Sequence, residues 1–331
     1  LDPDDSEDTP DENKAPKAWP RVDPATQAER LAYMTDVIAR LDALDAGALS
    51  PEQQINLAIY REQIEVRMSR IRFREYEKPL NADTPFWTNV ASAAPKAFRS
   101  EAEARAWISR LEDTPRYFAD QIANMRLGLA RGFTPPRVTL EGRAASISAV
   151  YEGKTAEQSS FYGPFKALPS SISAEKREEL QAQAKAAIET KVFPAYRTLL
   201  PFFRDEYFPR TTTELAAIKL PEGEAYYAAQ IREFTTLNKS PDEIHAIGLA
   251  EVAKIRARMG EVMKQADFKG DLPAFLTFLR SDPQFYPKTG EELLMRAAWI
   301  SKKFDGKARF YVGRLPRSRS AVIPVPADVA P

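Results

Sequence analysis

Cysteine is absent from this 331-residue chain, and histidine occurs once, at His245. A zinc site ordinarily takes at least two ligands from His and Cys. Ser-His-Asp and Cys-His catalysis set a base beside a nucleophile. A single imidazole serves at most one of these jobs. The missing cysteines exclude a disulfide framework, although they do not fix the compartment. Glycine is scarce, at 13 residues. No phosphate-cradling glycine loop, Gly-x-Ser-x-Gly elbow, calcium loop or His-Glu-x-x-His occurs. An excess of either charge is also missing, with 47 basic and 47 acidic residues. A nucleic-acid binder carries a basic excess or stripe, so that class is set aside. No run approaches the roughly 18 apolar residues that cross a bilayer. The chain opens on Leu1-Asp2-Pro3-Asp4-Asp5 without a signal peptide, so it is expected to be cytosolic or a trimmed secreted chain.

What is present is helical. A hydrophobic share of 44% supplies a core for two domains or one large helical one. Residues 1–20 carry Asp2, Asp4, Asp5, Glu7, Asp8, Asp11 and Glu12 with few apolar groups, too little to offset ordering entropy. They are expected to form a mobile arm or one laid over the surface. Leu31, Met34, Val37, Ile38 and Leu41 then recur by threes and fours, one face of a helix over residues 25–44. Ser50-Pro51-Glu52-Gln53 is a start signal for a helix to about residue 76. Phe86-Trp87 is read as a loop between Pro85 and Pro95. Ser100 and Thr114-Pro115 open further helices, the second turning Phe118, Ile122, Met125 and Leu129 inward and stopping at Gly132. A further helix is expected over 138–150, an aromatic loop over 161–165, and a long helix over 173–203 bent at Pro194. Ser240-Pro241-Asp242-Glu243 is the best capping box. Its helix is expected to bury Ile244, Ile247, Val252, Ile255, Met259, Val262 and Met263. Thr289-Gly290-Glu291-Glu292 caps another helix to about residue 304. Only the end changes character: 308–312 and 321–325 are short β-branched and apolar runs, read as strands joined by a basic turn. The fold class is therefore mainly α, a multi-helix array with a short β ribbon at the C-terminal end. The domains are an arm at 1–20, a helical body at 21–305 and the start of a β element at 306–331.

Few residues suggest chemistry. His245 lies in the first turns of its helix, where the dipole disfavours an imidazolium; it reads as a packing or surface histidine before a base or ligand. Gly223-Glu224-Ala225-Tyr226-Tyr227 enters a helix bearing Arg232. Phenol hydroxyls and a guanidinium can build a pocket wall that clamps a carboxylate; alternatively Tyr226 and Tyr227 divide between packing and snorkelling. Arg314, Arg317 and Arg319 suit an anionic group such as a peptide C-terminus, or form a solvated turn. Carboxylate pairs such as Glu178-Glu179 and Glu291-Glu292 would need a cleft between them to act as a glycosidase.

The run from Gly223 continues through Arg232-Glu233-Phe234-Thr235-Thr236 to Ser240-Pro241-Asp242-Glu243-Ile244-His245-Ala246-Ile247-Gly248. With Tyr286-Pro287-Lys288-Thr289-Gly290-Glu291-Glu292-Leu293, Leu315-Pro316-Arg317-Ser318-Arg319 and Ile323-Pro324-Val325-Pro326, it resembles the bacterial family called domain of unknown function 885. The matching motifs cover residues 223–331. The resemblance implies a mostly helical protein similar to zinc peptidases of the gluzincin type, such as thermostable carboxypeptidases. It also implies export or lipid anchoring, about twice this length, and a zinc motif, His-Glu-x-x-His with a downstream glutamate, in a C-terminal half. None of that motif is present here, so no catalytic or metal residue carries over. The expected role is the scaffold and cleft portion of a zinc-dependent hydrolase, with Tyr226, Tyr227, Arg232, Arg317 and Arg319 as cleft candidates. The expected partners are a peptide substrate and the C-terminal half of the same protein, either continuous with it or as a separate chain, because the sequence stops at Pro331 just after the strand-like runs. The competing readings are a self-contained helical binding module without catalysis and, last, a metal-independent hydrolase using carboxylates.

Overall fold

The structure, a computed structural model, describes residues 15–81, 83–315, 317–318 and 320–325. Its contacts divide the chain at Pro241 into two compact units. Both are helical, and no strand occurs among the described residues.

The first unit opens with an α-hairpin. Helix α1 (Pro24–Asp42) is capped by Asp23, and α2 (Pro51–Arg72) by the full Ser50/Gln53 capping box. Met34 and Val37 of α1 meet Ile64 and Met68 of α2 in a small core of their own. The larger core belongs to α3 (Phe86–Ser92), α4 (Glu101–Glu112), α5 (Thr114–Arg131), α6 (Arg143–Ser148), α7 (Ala174–Ala187) and α8 (Phe193–Pro201). Phe118, Ile122, Met125 and Leu129 face inward along α5, and Gly132 ends that helix at φ 79°, a conformation that costs glycine nothing. Of the expected acidic arm, residues 1–14 lie outside the described residues. Trp19 is buried; its N–H donates to Asp113 Oδ2 at 2.8 Å and its indole N–H to Thr114 at 3.2 Å.

Phe86 and Trp87, expected in a loop, begin α3 and are buried. Pro85 sits at the N-cap, where its missing N–H costs nothing. The aromatic segment Ser160–Ala167 is a 3₁₀ run with Phe161 and Phe165 fully buried. Between α7 and α8 lies a π turn, Ile188–Val192, and after α8 another, Phe202–Tyr207. Phe193 N–H reaches back to Ile188 O, and Phe208 N–H to Phe203 O. Each turn adjoins a proline, Pro194 or Pro201, that withholds a helical donor. The interruption expected at Pro194 takes the form of a widened turn just before it.

Helix α9 (Gly223–Thr235) completes this unit. Gly223 is required by close approach: a Cβ there would lie 2.6 Å from Ala217 O. Gly223→Ala is therefore expected to lower unfolding free energy by about 1–3 kcal/mol through overpacking. Urea denaturation checks the loss, and faster proteolysis over residues 211–222 would locate it.

The second unit holds α10 (Pro241–Gln265), α11 (Leu272–Ser281) and α12 (Gly290–Asp305), the last capped by Thr289 as its sequence predicts. Phe268, Phe275, Phe278 and Phe285 form a ring cluster with centroids 5.0–5.3 Å apart between neighbours. The α10 face expected to be buried is not: only Met263 is. Ile247, Val252, Ile255, Met259 and Val262 are all at least 40% exposed. Helical periodicity reports that a face is apolar, but does not supply what covers it.

The expected β ribbon is also overturned. Residues Ala308–Phe310 form a 3₁₀ turn, with Phe310 N–H bonded to Lys307 O at 2.9 Å and Tyr311 N–H to Ala308 O at 3.0 Å. Residues 321–325 take no regular structure. A two-stranded ribbon with no third strand is marginal, and Pro324 withholds a ladder donor. Local i→i+3 bonds satisfy the backbone of the first run instead.

Candidate functional site

The first unit carries a groove of about 670 Å³ along α2, lined also by Glu233, Phe234 and Thr236 at the C-terminal end of α9. Its floor is a stripe of α2 one turn apart and repeated: Ala58 and Ile59, Glu62 and Gln63, Val66 and Arg67, then Arg70. Positions i, i+4 and i+8 share one helix face. Phe234 and Ile59 stand open, at 79% and 52% exposed.

Under the groove's end lies a polar cluster built from three elements. After α2 the backbone turns through Arg74 at φ 57° into a 3₁₀ turn, Glu75–Glu77. Helix α9 is flanked by two more residues with positive φ, Glu222 and Thr236. Such conformations in non-glycine residues cost energy and persist where surroundings hold them. Arg70 donates to both carboxylate oxygens of Glu233 and lies 3.9 Å from Glu75. Gln230 donates to Glu75 Oε1 at 3.0 Å. Lys78 Nζ donates to the Tyr226 hydroxyl at 3.3 Å, and that hydroxyl is hydrogen-bonded to Glu75. Lys78 also sits 4.9 Å from the Phe133 ring centroid and 5.2 Å from that of Tyr226, within cation–π range.

Burial sets the protonation tendencies here. It raises the Glu75 carboxyl above its ordinary value, against the Tyr226 hydrogen bond and the charges of Lys78 and Arg70. It lowers the Lys78 ammonium, against the pull of Glu75. It raises the Tyr226 phenol strongly, with the Glu75 charge adding to the effect. A raised carboxyl in the folded state makes the unfolded chain release its proton first. Stability therefore falls as pH rises from about 4.5, the ordinary glutamate value, through the raised one. The expected result is that the stability of wild type relative to Glu75→Gln is greatest below that window and declines through it. Urea midpoints for both proteins across the acid range measure this; a constant difference would contradict it.

The expected cleft residues are distributed as follows. Tyr226 is in the cluster, 6% exposed, with its ring against Phe73 and Phe133. Tyr227, next to it, is exposed. Arg232 donates to Glu62 at 2.7 Å and Glu65 at 3.2 Å, tying α9 to α2. It is an internal tether whose fork is already filled. Arg317 is exposed in the second unit, and Arg319 lies outside the described residues. His245 is exposed on α10. Glu75, Glu77, Lys78 and Arg70 were not singled out from sequence. Their one signal is the charge-dense run Arg70–Lys78, which reads from sequence as solvated surface.

The zinc implied by the family resemblance does not fit this chain's own donors. Among the described residues no three of His, Cys, Asp or Glu are grouped to hold a metal ion.

Fold and groove together define a helical protein with a ligand-sized trough over a satisfied polar cluster. The chain belongs to the family of bacterial proteins of unknown function DUF885, whose profile matches residues 10–331. No curated protein matches it. Among solved structures it is similar to the putative lipoprotein from Colwellia psychrerythraea, with a TM-score of 0.79 and 20% identity. That likeness covers 95% of this chain and 57% of the other, so this chain spans little more than half the length of the protein it matches. No helix among the described residues is long and apolar enough to cross a membrane.

Proposed function

We propose that this chain is the helical scaffold and one cleft wall of a zinc-dependent, metallopeptidase-like hydrolase whose zinc motif lies on a segment outside this chain. The observation that carries the reading is the α2–α9 groove. It has the volume of a ligand site, and its lining mixes the apolar Ile59, Val66 and Phe234 with charged side chains that mostly pair with one another. Such a groove holds a substrate without acting on it. The longer chain of the similar structure leaves room for a segment that supplies the chemistry. Zinc, held there, would polarise a peptide carbonyl and activate water. Export with a lipid anchor fits the same reading, given the lipoprotein that shares the fold.

A groove that only binds also suits a second reading, a non-catalytic helical binding module. One experiment separates them. This chain is produced alone and together with the segment matching the remainder of a longer family member. Zinc is measured by elemental analysis, and hydrolysis is followed on a peptide library. Zinc and hydrolysis in the combined protein, with neither in this chain alone, support the hydrolase. A combined protein that binds peptides but holds no zinc and cuts nothing supports the binding module.

A further inference from the structure

We propose that the exposed apolar face of α10, α11 and α12 in the second unit is a docking surface, and that its occupant is the further segment by which the longer protein of this fold exceeds the present chain. The inference rests on the proposed function in one respect, that such a segment completes this chain. It needs neither zinc nor hydrolysis. Four observations carry it.

The first is a core that is not closed. The unit runs from Asp242 to Pro331, and a free-standing domain of that size buries a hydrophobic centre. Among its described residues Met263 alone is buried, and α11 and α12 bury nothing. The rings of Phe275 and Phe278 are only half-buried. Val252, Ile255, Met259 and Val262 recur by threes and fours on one stripe of α10, and all are exposed. Three of them, with Leu272, Phe275 and Leu276 of α11, line a trough of about 280 Å³. Arg258 is the one charged side chain in that lining, and it lies 3.4 Å from Glu261. Monomeric soluble proteins rarely leave an apolar surface of this extent in water.

The second is the shape of that surface. On α12, Leu293, Ile300 and Phe304 share one side, and Met295 and Trp299 lie on another. All five are exposed. A helix that is apolar on more than one side is enclosed by its surroundings. A two-fold contact with a second copy sets one patch against its equal, which leaves a side of α12 in water.

The third is charge. Helix α10 carries four acidic and four basic residues. A helix that lies on a membrane is rich in lysine and arginine on its polar face, and this balance lacks that bias. The fourth is length. The solved structure that shares this fold over 95% of the present chain has more than two-fifths of its own length outside the match. A segment of that size brings apolar surface of its own and covers several helices at once.

The test compares this chain alone with the combined protein, in which it is joined to the further segment. Hydroxyl-radical footprinting reads side-chain exposure residue by residue. Modification of Met295 and Trp299 is expected to slow about fivefold or more in the combined protein, as at a desolvated interface core. Tyr33, exposed on α1, is the reference and should not change. A second arm places a protease site at the junction, so that both parts fold together before they are cut. The cut parts are expected to coelute in gel filtration. Ile255→Lys/Met259→Glu sets two charges in the trough and is expected to weaken that association about a hundredfold. In the variant helix the new lysine follows Glu251 by four residues and precedes the new glutamate by four, a favourable pattern. This chain alone should therefore melt the same with or without the two substitutions.

Unchanged modification of Met295 and Trp299, or cut parts that stay together as tightly in the variant, would overturn the inference. Shielding in this chain alone with a doubled mass would give the face to a second copy and overturn it too. So would equal shielding by phosphatidylglycerol vesicles, which would give it to a membrane. A combined protein that shields the face but holds no zinc and cuts nothing would refute the hydrolase and leave the inference standing. One that hydrolyses peptides while Met295 and Trp299 stay open would refute the inference alone.

Discussion

Glu77→Ala is expected to destabilise the first unit by about 3–5 kcal/mol, the cost of leaving one member of a buried ion pair behind. Glu77 is only 3% exposed, and Arg131 Nε donates to it at 2.6 Å. The same guanidinium donates to Phe73 O at 3.0 Å and lies 4.3 Å from the Phe133 ring centroid. These contacts hold Arg131 in place, so it cannot swing out to water when its carboxylate is removed. Gly128 makes the approach possible: a Cβ there would lie 2.5 Å from Glu77 O. Helix α5 and the 3₁₀ turn are therefore locked at backbone distance, and relaxation is small. Urea denaturation of Glu77→Ala beside Glu77→Ala/Arg131→Met provides the check. Removing both charges is expected to recover much of the loss. If the double variant is the less stable by a second full increment, the pair is not the source of the effect.

Trp87→Ala is expected to cost a similar amount, about 3–5 kcal/mol, for the lost burial and the cavity left. Trp87 is fully buried. Its ring meets Phe86 and Phe203, each at 5.4 Å between centroids. Its indole N–H donates to Ser146 Oγ at 2.9 Å, and its carbonyl accepts from the Tyr196 hydroxyl at 2.6 Å. One residue thus joins α3, α6, α8 and the second π turn. Trp87→Phe refills most of the volume and loses the Ser146 bond. Ser146 keeps its own donation to Arg143 O at 2.7 Å, so a smaller loss of about 1 kcal/mol is expected. Trp299, 64% exposed on α12, is the control: its replacement by alanine should stay within about 0.5 kcal/mol. Melting temperatures of the three variants, with near-ultraviolet dichroism, measure the order.

Helix ends were the most legible part of the sequence because capping is local chemistry. Ser50 with Gln53, Thr289 with Glu292 and Gly132 act within four residues of where they sit. The aromatic pair Phe86-Trp87 misled because Pro85 reads equally as a loop boundary and as an N-cap. The apolar face of α10 was legible as a face, and its covering was not, since periodicity carries no information about neighbours. The β-branched runs near the end suggested strands from side-chain preference alone, and strand pairing is a long-range property. The candidate site was legible only in part. Gly223 and Tyr226 were picked out by a motif. Arg232 looked like a free clamp, because its partner Glu62 is 170 residues away in sequence. Lys78 and Glu75 take their unusual protonation tendencies from burial, which local charge patterning conceals.

The two π turns have a consequence for how this chain tolerates changes in length. A π turn holds one residue more than the α-helical turn it replaces. Deleting one residue within Ile188–Val192 or Phe202–Tyr207 can relax the backbone to ordinary α geometry and leave downstream side chains pointing where they did. The same deletion inside α5 would rotate everything after it by about 100°, carrying Met125 and Leu129 out of the core. A gene for this fold can therefore lose a codon at either π turn with little effect, and almost nowhere else along its buried helices. Relatives one residue shorter are expected to carry the gap there.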